Sequence, residues 1–319
     1  MLQAETKGLP PQDYDQMIVG TPLGPIDVTV DDELARSYAY TVDDFNPWCL
    51  WDQGSPFGGR IAPPVAIAVR LLRLWSLVYD ATTDRSLHAK EEFRLYKPIR
   101  IGQRVTLKGR VADKYIKRDR QWVVYESEAL AEDGHPLMWA RAVEMLGMQP
   151  GLKIGAGTAT APSSGGSSRK SAACAADLPV ATRAHLDVPI GSPLPSLTKR
   201  PDRKQMWVFS AREGRWDNMH TDRTTATSIG LEDIIGQGLM TTGYLSELCA
   251  NFFGPAWFSS AWVLNAFLKP VYIDDTLSVK GVVSNRLEEA DGPRLEVEFW
   301  CENQHGDTVT AGRAHARVQ

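Results

Sequence analysis

The sequence predicts an α+β fold built from two antiparallel sheets, each wrapped around a long central helix. Three observations lead there. The chain has 319 residues, more than one comfortable core needs, and suits two domains of about 150 residues each. Its two halves repeat each other at a constant spacing. Each half carries one strongly apolar helical segment followed by a run of strands with alternating polarity.

The repeat is read directly. Glu92–Val111 (EFRLYKPIRIGQRVTLKGRV) aligns without gaps with Leu264–Val283 (LNAFLKPVYIDDTLSVKGVV). Lys97-Pro98 falls on Lys269-Pro270 and Lys108-Gly109 on Lys280-Gly281, a shift of 172 residues. The same shift places Gly134 on Gly306 and Arg141 on Arg313, the signature of a duplicated unit. Between the copies, Gly151–Asp177 is nearly all Gly, Ala, Ser, Thr and Pro, too poor in bulky apolar groups to offset the entropy of ordering. The expected organisation is an N-terminal domain at 1–150, a flexible linker at 151–177 and a C-terminal domain at 178–319.

The helices come next. PVAIAVRLLRLWSLVYD (Pro64–Asp80) and GLMTTGYLSELCANFF (Gly238–Phe253) are apolar on most faces, so each should be covered all round. In the second, Met240, Tyr244, Leu248 and Phe252 recur at helical spacing. Strands are predicted after the first helix at His88–Leu95, Val105–Ile116, Gln121–Leu130 and Met138–Leu146, with antiparallel alternation such as Val105, Leu107, Gly109, Val111. A buried helix followed by an antiparallel meander, twice over, describes a double hot-dog.

Composition narrows the function classes. Hydrophobic residues at 43% and charged residues at 23% exclude a disordered or fibrous chain. A net charge of -4 offers no global basic surface for nucleic acid or anionic lipid. The apolar run at Pro63–Val69 is interrupted by Arg70 and Arg73 before it could span a bilayer, and the first residues show no signal-peptide pattern. Cys49, Cys174, Cys249 and Cys301 have no metal-ligand spacing, so reduced thiols, a cytoplasmic setting and no bound metal are expected.

With these residues in view, the chain resembles the MaoC-like (R)-specific enoyl-CoA hydratase and dehydratase family. The first half resembles its N-terminal dehydratase domain through YAYTVDDFNPW (Tyr38–Trp48) and GGRIAPPVAIA (Gly58–Ala68). The second half resembles the MaoC-like domain through Leu194–Ala211 as its opening strand, HTD (His220–Asp222) and the glycine turn GQGLMTTG (Gly236–Gly243). The resemblance implies hydration of 2-enoyl thioesters or dehydration of 3-hydroxyacyl thioesters. It implies no cofactor beyond the substrate's own coenzyme A. An Asp and a His would hold one water between them, and a glycine amide at the start of the buried helix would polarise the thioester carbonyl.

Placing that motif exposes a conflict. His220 and Asp222 match, but the catalytic Asp position is Arg215, with Asp217 at the usual Asn and Asn218 at the usual Pro. In the first half Asp44, Asn46 and Pro47 match, whereas Cys49 stands at the His position and Pro63-Pro64 replaces the glycine. The first half is therefore read as shaping the acyl tunnel. In the second, Asp217 and His220, three residues apart, form the candidate catalytic pair, with the Gly238 amide as oxyanion donor. Arg215, Asn218 and Asp222 are the substrate-binding candidates, although Asp222 also suits a helix cap. Lys199, Arg200, Arg203 and Lys204 form a basic cluster that either meets the CoA phosphates or is ordinary solvated surface. Alternatives are a non-catalytic acyl-CoA-binding subunit of a heteromeric hydratase and a hot-dog thioesterase, for which Glu247 is the candidate carboxylate within the central helices. A homodimer, or a heteromer with another hot-dog chain, is the expected assembly.

Overall fold

The structure, a computed structural model, describes residues 8–52, 54–150, 178–210 and 217–318. The predicted linker at 151–177 and the candidate Arg215 lie outside them.

The first half opens with strand β1 (Pro22–Thr29), helix α1 (Asp32–Val42), the short α2 (Pro47–Leu50) and α3 (Pro64–Leu72). The meander β2 (Leu87–Leu95), β3 (Arg104–Lys117), β4 (Arg120–Leu130) and β5 (Pro136–Met145) follows. The second half runs β6 (Leu197–Lys199), α4 (Arg203–Ser210), α5 (Arg223–Ser228), α6 (Gly238–Phe253), α7 (Trp257–Ser260) and a second meander. Its strands are β7 (Trp262–Phe267), β8 (Leu277–Glu289), β9 (Gly292–Glu302) and β10 (Thr308–Arg317). The spacing of 172 residues seen in the repeat carries Arg120 and Leu130 onto Gly292 and Glu302, the ends of β4 and β9, and Pro136 and Met145 onto those of β10.

All ten strands form one sheet, in the order β1-β3-β4-β5-β2-β7-β10-β9-β8-β6. The join is the antiparallel pairing of β2 with β7, where Glu91 faces Asn265 and Phe93 faces Val263. Inside lie α3 and α6, which contact each other. Helix α6 buries Leu239, Met240, Tyr244, Leu245, Leu248, Cys249, Phe252 and Phe253 and is open only along the face of Glu247 and Asn251, as a helix apolar on most faces requires. This is a double hot-dog. Among the described residues no helix is long and apolar enough to cross a membrane.

Two local expectations are corrected. The helix predicted at Pro64–Asp80 is α-helical only to Leu72 and tightens into a 3₁₀ turn at Arg73–Leu77. There the Ser76 hydroxyl donates to the Arg73 carbonyl at 2.8 Å, occupying an acceptor that a continuing α-helix would use. The opening strand expected at Leu194–Ala211 is only β6, three residues long, followed by α4. Pro201 cannot donate to a ladder, and Asp202 and Gln205 cap α4 reciprocally at 2.8 and 3.0 Å, so the helix wins.

Close packing beside the seam supplies a test. Gly312 on β10 faces Asn265 on β7, and a Cβ there would lie 2.3 Å from the Leu264 carbonyl oxygen. Gly312→Ala should destabilise the chain by about 1–3 kcal/mol, as overpacking does, read as a lower denaturant midpoint at unchanged slope.

Candidate active site

His220 sits in a turn just before α5. The Asn218 side-chain oxygen accepts from the His220 amide at 2.9 Å, and the Asn218 carbonyl accepts from the amides of Thr221 and Asp222 at 3.0 and 2.9 Å. The indole of Trp207, on α4, donates to the Thr221 carbonyl at 3.1 Å and ties the turn down. The turn therefore aims the imidazole inward, where Nδ1 lies 2.8 Å from the Ile235 carbonyl oxygen. That oxygen only accepts, so Nδ1 carries the proton and Nε2 the lone pair. Burial pushes the His220 pKa down to about 4; the Ile235 hydrogen bond opposes the shift and the nearby Arg73 charge adds to it. The ring is neutral at physiological pH.

The cavity that His220 lines also takes in Gln237, Gly238 and Leu239 at the start of α6. The first amides of a helix have no acceptor within it and carry the positive end of the helix dipole. Position 238 needs glycine for space as well: a Cβ would lie 2.9 Å from the Phe267 ring. His220 and Gly238, two of the sequence candidates, thus meet at one cavity.

Asp217, Asn218 and Asp222 do not line that cavity. Asp217 is exposed at the outer start of the turn, so the three-residue spacing with His220 does not bring the two together: the backbone between them is a turn rather than a helix. Asn218 positions His220, as described. Asp222 caps α5, accepting from the amide and hydroxyl of Thr225, both at 2.7 Å; these bonds hold its carboxyl below the usual range.

What the sequence reading missed is the opposite wall, which comes from the first half: Arg73, Asp84, Ser86, His88 and Glu144. Glu144 on β5 pairs across the sheet with His88 on β2. Its carboxyl is pushed up to about 7 by burial and then by the Asp84 charge, against the opposing effects of His88, Ser86 and Arg73. Gln12 donates to it at 3.2 Å. Burial works against a charged His88, but the Glu91 carboxylate at 2.9 Å outweighs it and raises the His88 pKa. The His88 ring lies 4.7 Å from Phe267, which in turn packs on Gly238. A signal for Glu144 exists in the pattern: it is in phase with the buried Ala140 and Ala142 along β5, where period-2 alternation expects an apolar residue.

The equivalent site of the first half is a separate cavity, lined by Asp43, Asp44, Asn46, Lys199 and Glu247 among others. Backbone bonds define the correspondence. The amide of Ile61 donates to the Trp48 carbonyl as that of Ile235 donates to Met219, so Cys49 follows one acceptor where His220 follows the other. Likewise Ala62 donates to Ile99 as Gly236 donates to Val271, which sets Pro64 against Gly238. The first half therefore has neither an imidazole nor an amide proton at these places. Asp44 is half-buried, and its desolvation raises the carboxyl above the usual range. Lys199 does not face CoA as part of a solvated basic cluster: it is 4% exposed, 2.7 Å from Glu247 and 2.5 Å from the Asp43 carbonyl oxygen.

Comparison with known families agrees with this geometry. Residues 181–307 match the family described as MaoC like domain, and residues 17–140 match the FAS1-like dehydratase domain region. The second half thus carries a MaoC-like domain and the first a FAS1-like dehydratase domain region. No curated protein sequence matches it. Among solved structures it is similar to one described as a MaoC-like dehydratase, with TM-score 0.73 and 16% identity over 94% of this chain and 98% of the other. A Mycobacterium tuberculosis protein described as a double hotdog fold gives TM-score 0.63 and 14% identity, covering 95% and 97%. The peroxisomal multifunctional enzyme type 2 of Drosophila melanogaster gives 0.62 and 17%, over 93% of this chain and 48% of that enzyme. At these identities the structural likeness establishes the fold.

The neutral imidazole has a measurable consequence. An unfolded His220 titrates near 6.5, whereas the folded one titrates at about 4. Between those values the unfolded chain binds the extra proton, so His220 stabilises the fold fully above the upper value. That contribution is lost as pH falls through the window, up to about 3 kcal/mol in all. NMR titration should find the His220 midpoint near 4, and His220→Gln should flatten the stability profile over the same window.

Proposed function

We propose that the chain hydrates a 2-enoyl thioester, or dehydrates the matching 3-hydroxyacyl thioester, carried on coenzyme A. The observation that supports this reading is the meeting of a neutral imidazole and a glycine-started helix N-terminus on one cavity. In the hydration direction the thioester oxygen rests against the Gly238 amide. Nε2 of His220 takes a proton from a water molecule as the water oxygen bonds to C3. The C2=C3 electrons move onto the thioester, and the negative charge gathers on the oxygen that the helix end faces. The imidazolium then returns its proton to C2, which restores the thioester and the neutral ring. Water is added across the double bond, every proton is accounted for, and the reaction needs no group besides the substrate's own CoA. The thioesterase alternative would rely on Glu247, whose carboxylate is instead paired with Lys199 in the other cavity.

Loss of enoyl absorbance with short 2-enoyl-CoAs tests the reading. His220→Ala should lower kcat by about a hundredfold or more, while Asp217→Asn should leave it within about twofold. Absence of turnover with every 2-enoyl-CoA, or release of free CoA, would overturn it.

Gly238 allows a sharper comparison. Both Gly238→Ala and Gly238→Pro introduce the same Cβ against Phe267, and proline is tolerated in the first helical turn, but only proline removes the amide proton. If that proton stabilises the developing charge, the proline variant should fall below the alanine variant by about a hundredfold in kcat. Equal activities would remove the amide from the mechanism.

A further inference from the structure

We propose that the acyl group accepted by this site ends in a hydrogen-bonding oxygen substituent, a hydroxyl being the simplest case, and that Glu144 selects it. The proposal rests on the hydratase reading for its orientation. With the thioester oxygen at Gly238 and C3 beside His220, the rest of the acyl group extends towards the remaining wall of the cavity, which the first half supplies.

That wall is unsuited to an alkyl chain. Around the Glu144 carboxyl stand His88 on the facing strand, Asp84 and Ser86 just before β2, Gln12 from the N-terminal segment, Tyr125 on β4 and Arg73 at the end of α3. Glu144 and Ser86 are 4% and 6% exposed, so whatever enters the cavity replaces the water that would otherwise reach them. Covering such groups with methylenes leaves their remaining hydrogen-bonding capacity unmet, whereas a hydroxyl both donates to a carboxylate and accepts from a donor. A site built around polar groups discriminates strongly against an analogue lacking the matching oxygen. Burial, which brings the carboxyl to about 7, also leaves it able to donate or accept, so it can hold either a hydroxyl or a carbonyl oxygen.

The experiment compares a five-carbon 2-enoyl-CoA with its ω-hydroxy counterpart as substrates for the full chain. The corresponding saturated CoA esters are compared as ligands by calorimetry. The hydroxylated member of each pair should be favoured by about tenfold or more in kcat/KM and in affinity. Glu144→Leu should abolish or reverse the preference. Glu144→Gln, which keeps size and hydrogen bonding, should retain it and remains informative if the leucine variant does not fold. Equal or better use of the alkyl ester by the wild-type chain, or an unchanged preference in a folded Glu144→Leu, would overturn the proposal. Preferential binding without turnover would sink the hydratase reading and leave the acyl assignment standing. Turnover without preference would do the reverse.

Discussion

The pairing of β2 with β7 is the constraint on which the rest depends. Each half alone would end its meander on an open edge, a row of unpaired backbone groups that invites another chain. Joining the two edges removes both and makes one sheet of ten strands. The join also fixes the chemistry, because β2 brings His88 to the seam and β7 ends in Phe267. The tilted ring pair His88–Phe267, at 4.7 Å, lies across that seam, with Phe267 against the start of α6. The cavity is therefore lined from one half by His220 and Gly238 and from the other by a polar wall.

Duplication gave two equivalent places, and two residue types separate their fates. Pro64 starts α3 as Gly238 starts α6, and proline suits a first helical turn as well as glycine does. The fold is indifferent to the exchange, but the amide proton is gone. Cys49 stands at the backbone equivalent of His220, and burial raises its thiol, so a small apolar side chain sits where the second half has an imidazole. A different interaction occupies this cavity: Lys199 joins Glu247 and the Asp43 backbone there. A buried ion pair that lost its lysine would leave Glu247 stranded, so this cavity is better explained by packing of α6 against the first half than by turnover.

How much of this was legible in the sequence follows from the range of each interaction. Strand and helix patterns are local, so β2 to β5 and α6 fall where alternation and helical spacing put them. The α3 break at Arg73 was missed because one side-chain hydroxyl decides it, and the apolar pattern runs on regardless. His220 and Gly238 were legible because a short turn and a helix start carry them. The pairing of Asp217 with His220 assumed helical geometry, and Asn218 builds a turn there instead. Glu144, His88 and Asp84 belong to no motif. They reach the cavity only through the sheet register and the seam, which no spacing along the chain encodes.

The polar wall also explains why the site tolerates its own instability. Burying Glu144, His88 and Glu91 is costly unless each is paired or neutralised. The structure does both: His88 and Glu91 stand 2.9 Å apart, each favouring the charged form of the other, and Glu144 moves towards its neutral form. Hydrophobic residues of similar volume would pack there at lower cost, as buried ion pairs elsewhere show. That expensive solution is kept on the same cavity as a neutral imidazole and a helix N-terminus, which the proposed binding role accounts for and the stability of the fold does not. The same logic separates the two cavities: in one, the buried charges hold two halves together, and in the other they face the open space that His220 also lines.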